Sequence, residues 1–383
     1  MADFSVMPKM LPALPQAFGN LKDVFRSAAD SIAGRKNALG LNPVKNALVI
    51  MVDGLGWHNL NDHLGHAPFL RRYVQKSSKG YCGFPSTTAA SIVSFATGVT
   101  PSQHGFIGYR IFDRAKNQSV NLLTGLDESS VDAYIHVESE FAKHQQAIVI
   151  SRSEYEHSGF SAATFPGAKF IGENSLDARF AKAIDELNSG SGKLIYLYVP
   201  ELDQTAHRFG SRSMKWIEWL ELLDALTKNL VESCSKGRGI ILTADHGVID
   251  VPAQNHIYLD DCADLNDVLD VGGDPRASFI YFPGNTDLVA KQSALSDWIG
   301  ELGHVLNISE LLDSGLYSEA VLKHTEIFPD LVVLPKNGTA SYDRRFAKPA
   351  SLHMIGQHGG ITEQEIAIPV LRLGDYSSSL LVP

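Results

Sequence analysis

Cysteine is scarce in this chain of 383 residues, which contains only Cys82, Cys234 and Cys262. A small and odd number of cysteines in a long chain is not the pattern of a disulfide framework, so we expect three reduced thiols. Cys82 lies near Thr88 in the sequence, but only Lys79 is placed to favour a thiolate. We therefore interpret Cys82 as a structural thiol.

Long hydrophobic runs are also missing. Prolines and charged residues interrupt the apolar stretches of the first forty residues, as at Lys9, Pro12, Pro15, Lys22, Asp23 and Arg26. The stretches between them are too short for a membrane span or for the apolar part of a secretory signal. These features predict a cytoplasmic protein without a membrane partner.

A basic excess is missing as well, because 33 lysines and arginines stand against 43 aspartates and glutamates, a formal net charge of -10. This balance argues against a broad nucleic-acid-binding surface. An anionic small-molecule substrate would need local positive charge, which bound metal cations can provide. The sequence does not predict the oligomeric state.

Apolar runs alternate with amphipathic segments along the chain, which is the rhythm of βαβ units. The runs predict strands at 47–52, 147–151, 193–199, 239–244, 278–282 and 330–334. We expect an α/β fold with a mostly parallel sheet covered on both faces. Residues 1–40 would be an N-terminal extension that packs on the core, 41–383 the main domain, and part of 255–345 a smaller inserted subdomain.

Polar residues follow three of the predicted strands. Asp53 comes directly after the first, Asp203 and His207 follow the third, and the pair Asp245-His246 follows the fourth. Ligands of open α/β sheets bind beyond the carboxyl ends of the strands, so these side chains are predicted to share one pocket. Because Asp203 and His207 lie one helical turn apart, both can face one metal.

Each of these signals has a plainer explanation when taken alone. Asp53 would form an Asp-Gly turn, and a single histidine such as His358 would be a hydrogen-bonded structural residue. Taken together, the carboxylates and imidazoles are harder to explain without a metal. Mixed nitrogen and oxygen ligands suit zinc, although manganese or iron is compatible with the same ligand types.

The segment Phe84–Thr88 reads as a loop that enters a helix at Ala89. A hydroxyl at this boundary lies beside unpaired backbone N–H groups and the positive end of the helix dipole, which favour a bound phosphate. The plainer reading is that Ser86, Thr87 or Thr88 only caps the helix. The nearby metal ligands favour Thr88 as a nucleophile, because a metal lowers the pKa of a coordinated hydroxyl.

These residues together resemble the alkaline phosphatase superfamily and, within it, the type I phosphodiesterase/nucleotide pyrophosphatase family. The resemblance extends from about Ala47 to Leu373. Its motifs are Val52-Asp53-Gly54, Thr88 with Thr97-Gly98 and His104-Gly105, Asp203-x-x-x-His207, Asp245-His246-Gly247, and His358-Gly359.

The resemblance implies an alkaline-phosphatase-like three-layer sandwich, with residues 41–383 as the catalytic domain. It also implies two zinc ions. One would be held by Asp203, His207 and His358, and the other by Asp53, Thr88, Asp245 and His246. The implied reaction is hydrolysis of phosphodiester or nucleotide pyrophosphate bonds through a covalent phospho-threonine at Thr88.

Two departures from the family pattern leave the substrate class open. Ala90-Ser91 and Tyr109 stand where nucleotide-cleaving members commonly carry Pro-Asn and a second Asn. A phosphomonoesterase or phosphonate hydrolase of the same superfamily is therefore an alternative, as is a catalytically silent metal-binding homologue. Tyr109, Arg110 and Arg276 are the predicted substrate contacts, since a tyrosine can donate one hydrogen bond and arginine can meet phosphate.

Overall fold

The apolar runs form a seven-stranded sheet in the computed structural model of the chain, which describes residues 20–127, 130–320, 325–336 and 338–378. In spatial order its strands are β2 (Lys79–Tyr81), β17 (Ala367–Gly374), β8 (Arg238–Thr243), β1 (Asn46–Val52), β7 (Leu194–Val199), β5 (Ala147–Ser151) and β6 (Lys169–Gly172). The strands from β8 to β6 are parallel, and β17 is antiparallel to both of its neighbours. The predicted mostly parallel sheet is confirmed.

Every residue of β1, β5 and β8 is buried, as expected for a sheet that helices cover on both faces. The α-helices of the described residues are α1 (Val24–Ile32), α2 (Trp57–Asp62), α3 (Thr88–Thr97), α4 (Pro101–His104), α5 (Glu140–Lys143), α6 (Gly159–Thr164), α7 (Leu176–Asn188), α8 (Glu201–Phe209), α9 (Met214–Glu232), α10 (Leu288–Ile299), α11 (Ile308–Asp313) and α12 (Glu363–Ile366). The result is the expected three-layer α/β sandwich.

The N-terminal helix α1 packs on the sheet through Val24, Phe25 and Ala28, which share one apolar core with the strand β1. Residues 20–40 thus contact the main domain. Residues 1–19 of the predicted extension lie outside the described residues.

A second, antiparallel sheet lies in the segment predicted as a subdomain. Its strand order is β11 (Asp270–Asp274), β12 (Ala277–Tyr281), β14 (Leu331–Pro335) and β13 (Gly303–Asn307). Phe279 and Tyr281 face one apolar cluster, while Ile280 faces another that includes residues of α10. The predicted strands 278–282 and 330–334 therefore belong to this sheet and not to the parallel one. The boundaries of the subdomain stay a prediction.

Short two-stranded pairs complete the strands. They are β3 (Arg110–Asp113) with β4 (Gln118–Asn121), β9 (Ile249–Asp250) with β16 (Gly356–Gln357), and β10 (His256–Tyr258) with β15 (Ala340–Tyr342). Within the residues that the structure describes, no helix combines the length and the apolar composition needed to cross a membrane.

Candidate active site

Three neighbouring strands of the large sheet bring the predicted ligands together at their carboxyl ends. Asp53 follows β1, while Asp245 and His246 follow β8 after Ala244. Asp203 and His207 lie on α8, which begins just after β7 and Pro200. Since β8, β1 and β7 are adjacent, these side chains meet at one edge of the sheet.

In the segment before α3, helix capping and contact with the ligand cluster involve two different threonines. Thr87 is the N-cap of α3, and its side chain accepts a hydrogen bond from the Ala90 N–H. Thr88 is the first residue of the helix and lies with its Oγ1 3.2 Å from His246 Nε2. Capping therefore uses the hydroxyl of Thr87 and leaves that of Thr88 directed into the ligand cluster.

The imidazoles and carboxylates form two overlapping groups whose candidate ligand atoms lie within 4.8 Å of one another. The groups are Asp203, His207 and His358, and Asp53, Asp203 and His246. The rings of His246 and His358 stack with their centroids 3.7 Å apart, so the two groups are contiguous. Asp245 joins the second group, with its Oδ2 3.7 Å from His246 Nε2.

Each histidine of the cluster directs one ring nitrogen at a backbone carbonyl. His207 Nδ1 lies 2.7 Å from Gly356 O, His358 Nδ1 lies 3.0 Å from Ser86 O, and His246 Nδ1 lies 3.3 Å from Gly247 O. An Nδ1–H that donates to a carbonyl leaves the Nε2 lone pair free. All three Nε2 atoms face the carboxylates, which is the arrangement of metal-binding histidines.

The carboxylates provide the clearest test of whether a cation fits. Oδ1 of Asp53, Oδ1 of Asp203 and Oδ2 of Asp245 are buried and have no hydrogen-bond partner among the described residues. A buried carboxylate oxygen without a partner is costly unless a cation pairs with it. The donor set, with three imidazole nitrogens and carboxylate oxygens, therefore fits bound divalent metal.

Electrostatic effects within the cluster differ from one residue to the next. Burial, with the neighbouring Asp245 and Asp203 charges, holds the pKa of Asp53 well above its usual range. Burial lowers the pKa of His246 to about 4, so its ring is neutral, the form that binds metal. At His207 burial is outweighed by the Asp203 charge, which raises the pKa to about 9. A bound divalent ion would reverse the repulsion among the carboxylates.

The ligand cluster opens into a cavity of about 1090 Å³. Tyr109 and Arg110 line it, as predicted for substrate contacts. The guanidinium of Arg110, however, already donates to the Asp270 carboxylate and to Ser119, as well as to two backbone carbonyls. The Arg110 side chain thus links the strand β3 to neighbouring segments of the protein. The Tyr109 side chain is more available than Arg110 to contact a ligand in the cavity.

Arg276 lies elsewhere. Its side chain is fully buried, forms a two-point ion pair with Glu365, and donates to the Thr339 carbonyl. It does not line the cavity. The guanidinium of Arg276 is thus held inside the protein and not at the cavity surface.

Sequence reasoning missed two polar residues of the cavity wall. The Tyr198 hydroxyl donates a hydrogen bond to Asp53 Oδ2. The Asp274 carboxylate accepts a hydrogen bond from the Tyr109 N–H, and burial raises the pKa of Asp274 to about 7. A tyrosine one residue before the end of a buried strand is a signal that could have identified Tyr198. Asp274 had no such signal, because it comes from the other sheet.

Comparison with known proteins agrees with this geometry. A family model described as type I phosphodiesterase/nucleotide pyrophosphatase matches residues 47–361. An uncharacterized pyrophosphatase/phosphodiesterase of Schizosaccharomyces pombe is 24% identical over 221 residues, which cover 54% of this chain and 44% of that protein. The match therefore spans less than half the length of the yeast relative.

Two solved structures have a similar fold. Human ectonucleotide pyrophosphatase/phosphodiesterase 5 gives a TM-score of 0.68 at 17% identity, with 86% of this chain and 87% of that chain covered. Phosphonoacetate hydrolase of Sinorhizobium meliloti gives a TM-score of 0.64 at 18% identity, with 86% of this chain and 90% of that chain covered.

The matched residues 47–361 contain all seven predicted ligand positions, the four-stranded sheet, and the seven-stranded sheet apart from Asn46 and β17. The resemblance to this family noted in the sequence is thus confirmed, and the chain belongs to the type I phosphodiesterase/nucleotide pyrophosphatase family.

Proposed function

We propose that this protein hydrolyses phosphodiester or nucleotide pyrophosphate bonds through a covalent phosphate ester on Thr88 at a two-zinc site. The observation that carries the proposal is the position of the Thr88 hydroxyl, 3.2 Å from His246 Nε2 and beside buried carboxylate oxygens that have no hydrogen-bond partner in the described part of the chain. A binding site that only held metal would have no use for a hydroxyl there.

Two groups of residues would hold the metals. Asp203, His207 and His358 would hold one, and the other would be held by Asp53, Thr88, Asp245 and His246. When bound, the metals supply Lewis-acid stabilisation of the charge that develops on oxygen and lower the pKa of a neighbouring hydroxyl. Nitrogen and oxygen ligands of this kind suit zinc, and manganese and iron are the alternatives that metal analysis would reveal.

The chain's own residues would act in two steps. In the first, Thr88 Oγ1 forms a bond to phosphorus, the bond to the leaving oxygen breaks, the hydroxyl proton passes to solvent, and the leaving oxygen takes up a proton from water. In the second, water attacks phosphorus, the bond to Thr88 breaks, and Thr88 regains its proton. The first backbone N–H groups of α3, the ten-residue helix that Thr88 begins, would stabilise the phosphoryl oxygens.

A nucleotide is the substrate that we favour. Aromatic side chains line the cavity beside the ligand cluster, among them Tyr155, Phe160, Phe165 and Phe170, and such rings can stack on a base. An inactive variant of murine ectonucleotide pyrophosphatase/phosphodiesterase 5 with a threonine-to-alanine substitution has been solved in complex with AMP, which supports this choice.

The test is steady-state hydrolysis of three p-nitrophenyl substrates by the zinc-loaded protein: the bis ester of phosphate, the monoester, and the ester of thymidine monophosphate. Thr88→Ala should bind zinc and lose turnover. The matched control is Thr97→Ala on the same helix, which removes a buried hydroxyl that donates to Val93 O and should keep turnover. Equal activity of Thr88→Ala and wild type would refute the mechanism, and a wild type without turnover would favour the catalytically silent homologue.

A phosphonate hydrolase is the second candidate. It is favoured by Tyr109, which lines the cavity in place of the asparagine of nucleotide-cleaving members, and by the similar fold of phosphonoacetate hydrolase. Phosphate release from phosphonoacetate, compared with hydrolysis of the thymidine ester, separates the two. A preference for the p-nitrophenyl monoester would instead indicate a phosphomonoesterase.

A further inference from the structure

The short helix α12 contacts two loops that carry predicted metal ligands. The loop after β8 contains Asp245 and His246, and the loop after β16 contains His358. Glu365 of α12 reaches the first loop with its backbone and the second with its side chain.

The side chain of Glu365 is fully buried and has several donors. Its carboxylate accepts from Arg276 Nε at 3.1 Å and Nη2 at 2.9 Å, and from the Thr362 hydroxyl at 2.6 Å. Its Oε1 also accepts from the Gly360 N–H at 2.9 Å. Because Arg276 and Glu365 are both 0% exposed, this carboxylate is held in one position by a planar two-point contact.

The backbone of α12 holds the other loop. The Gly247 N–H, next to His246, donates to the Glu365 carbonyl at 2.8 Å. A Cβ on Gly247 would come within 2.0 Å of the Gln364 carbonyl oxygen, and one on Gly360 within 2.8 Å of Glu365 Oε2. Both loops therefore use glycine to approach α12 closely, and Gly247 does so with a φ outside the left-handed region.

A buried ion pair contributes little net stability, because desolvation offsets the attraction between its charges. Its effect here is geometric. The carboxylate of Glu365 fixes the Gly360 N–H two residues after His358, while Arg276 on the β11–β12 connection fixes the carboxylate. The second sheet is thus linked to the metal-ligand loop through the Arg276–Glu365 ion pair and the hydrogen bond from the Gly360 N–H.

We propose that Glu365, oriented by Arg276, is a positioning residue that sets His358 against the Asp245-His246 loop and so fixes one predicted metal site relative to the other. This inference rests on the proposed two-metal function. Only the side chain reaches the His358 loop, whereas the Gly247 contact uses the backbone carbonyl. A side-chain substitution should therefore weaken the metal held by Asp203, His207 and His358 and spare the other.

The experiment is a zinc titration of the full chain against a chromophoric chelator, with a thermal melt of each variant. For Glu365→Gln we expect two bound zinc ions, one with an affinity reduced roughly 10- to 100-fold and one unchanged. Arg276→Lys keeps the charge but loses the two-point contact, and should give a smaller loss at the same site. If Glu365→Gln does not fold, the titration uses Thr362→Val instead, which removes one donor to the carboxylate together with the N-cap hydroxyl of α12.

The matched control is Asp224→Asn, another amide substitution of a buried carboxylate. Asp224 accepts from the Phe69 and Leu70 N–H groups at 3.0 and 2.7 Å, away from the metal loops, so this variant should lower the melting temperature and leave both zinc affinities unchanged. Unchanged or equally weakened affinities in the Glu365 and Thr362 variants would overturn the inference alone. A wild type that binds fewer than two zinc ions would overturn the proposed function and the inference with it.

Discussion

Replacing Tyr198 with phenylalanine would remove one hydroxyl group from the cavity wall and keep the ring. The hydroxyl donates to Asp53 Oδ2, and Asp53 is one of the proposed ligands of the metal beside Thr88. Burial raises the pKa of Asp53, and the Tyr198 hydrogen bond opposes that rise by stabilising the ionised carboxylate. Without the hydroxyl, the carboxylate that must bind metal is less well stabilised as an anion.

The magnitude follows from the contact. A hydrogen bond to a charged group contributes about 1.5–3 kcal/mol. That free energy corresponds to a loss of roughly 10- to 100-fold in affinity for one zinc ion. The affected site is the one with Asp53, Asp245 and His246, whereas the Glu365 variants should affect the other.

Zinc titration with a competing chelator measures both sites. The control is Tyr196→Phe on the same strand, because the Tyr196 ring stacks on Tyr198 at 6.3 Å and its hydroxyl has no hydrogen-bond partner among the described residues. Tyr196→Phe should bind zinc like the wild type. If Tyr198→Phe also binds both zinc ions like the wild type, the role given to this hydroxyl is wrong.

Three further outcomes are expected. Gly247→Ala places a Cβ 2.0 Å from the Gln364 carbonyl oxygen and should cost at least about 1–3 kcal/mol in urea unfolding, whereas Gly284→Ala faces open space and should cost little. Removal of metal by EDTA should lower the melting temperature, since zinc at about 100 times its Kd adds about 2.7 kcal/mol per site; an unchanged melt would argue against bound metal. Burial opposes ionisation of Glu365, but Arg276 and the hydrogen bonds from Thr362 and the Gly360 N–H together lower the pKa below its ordinary value of 4.5. The stability contributed by the ionised Glu365 is therefore present above pH 4.5 and is lost as the pH falls through the lowered pKa. The free energy of unfolding of Glu365→Gln should depend less on pH in that acidic range than that of the wild type. Urea titrations at several pH values would measure this difference.

The strands that sequence patterns predicted are those whose residues are buried on both faces. The run before Asp53 is β1, which begins one residue earlier than predicted, and the run at 147–151 is β5 without any shift. The strand β17 is absent from the predictions, although it lies between β2 and β8. Its Pro369 argues against an internal strand, and pairing across the sheet overrides that local signal.

The residues of the candidate site could be predicted from the sequence where their side-chain type is characteristic of metal binding. Aspartate and histidine at strand ends have few uses, so Asp53, Asp245 and His246 could be placed in one pocket. An arginine has many uses, and the sequence does not tell whether its partner is a substrate or another part of the protein. Arg276 pairs with Glu365 across 89 positions of the chain, a contact that only the tertiary fold creates.

The walls of the cavity come from two different parts of the chain. The seven proposed ligands lie outside the four-stranded sheet, which instead supplies Gly272, Asp274 and Ser278 to the cavity lining. Residues that would determine reactivity and residues that would determine fit are thus encoded separately. Substitutions at Gly272 or Ser278 could change which molecule is accepted, whereas the β11–β12 connection would have to keep Arg276 for the His358 loop to stay in place.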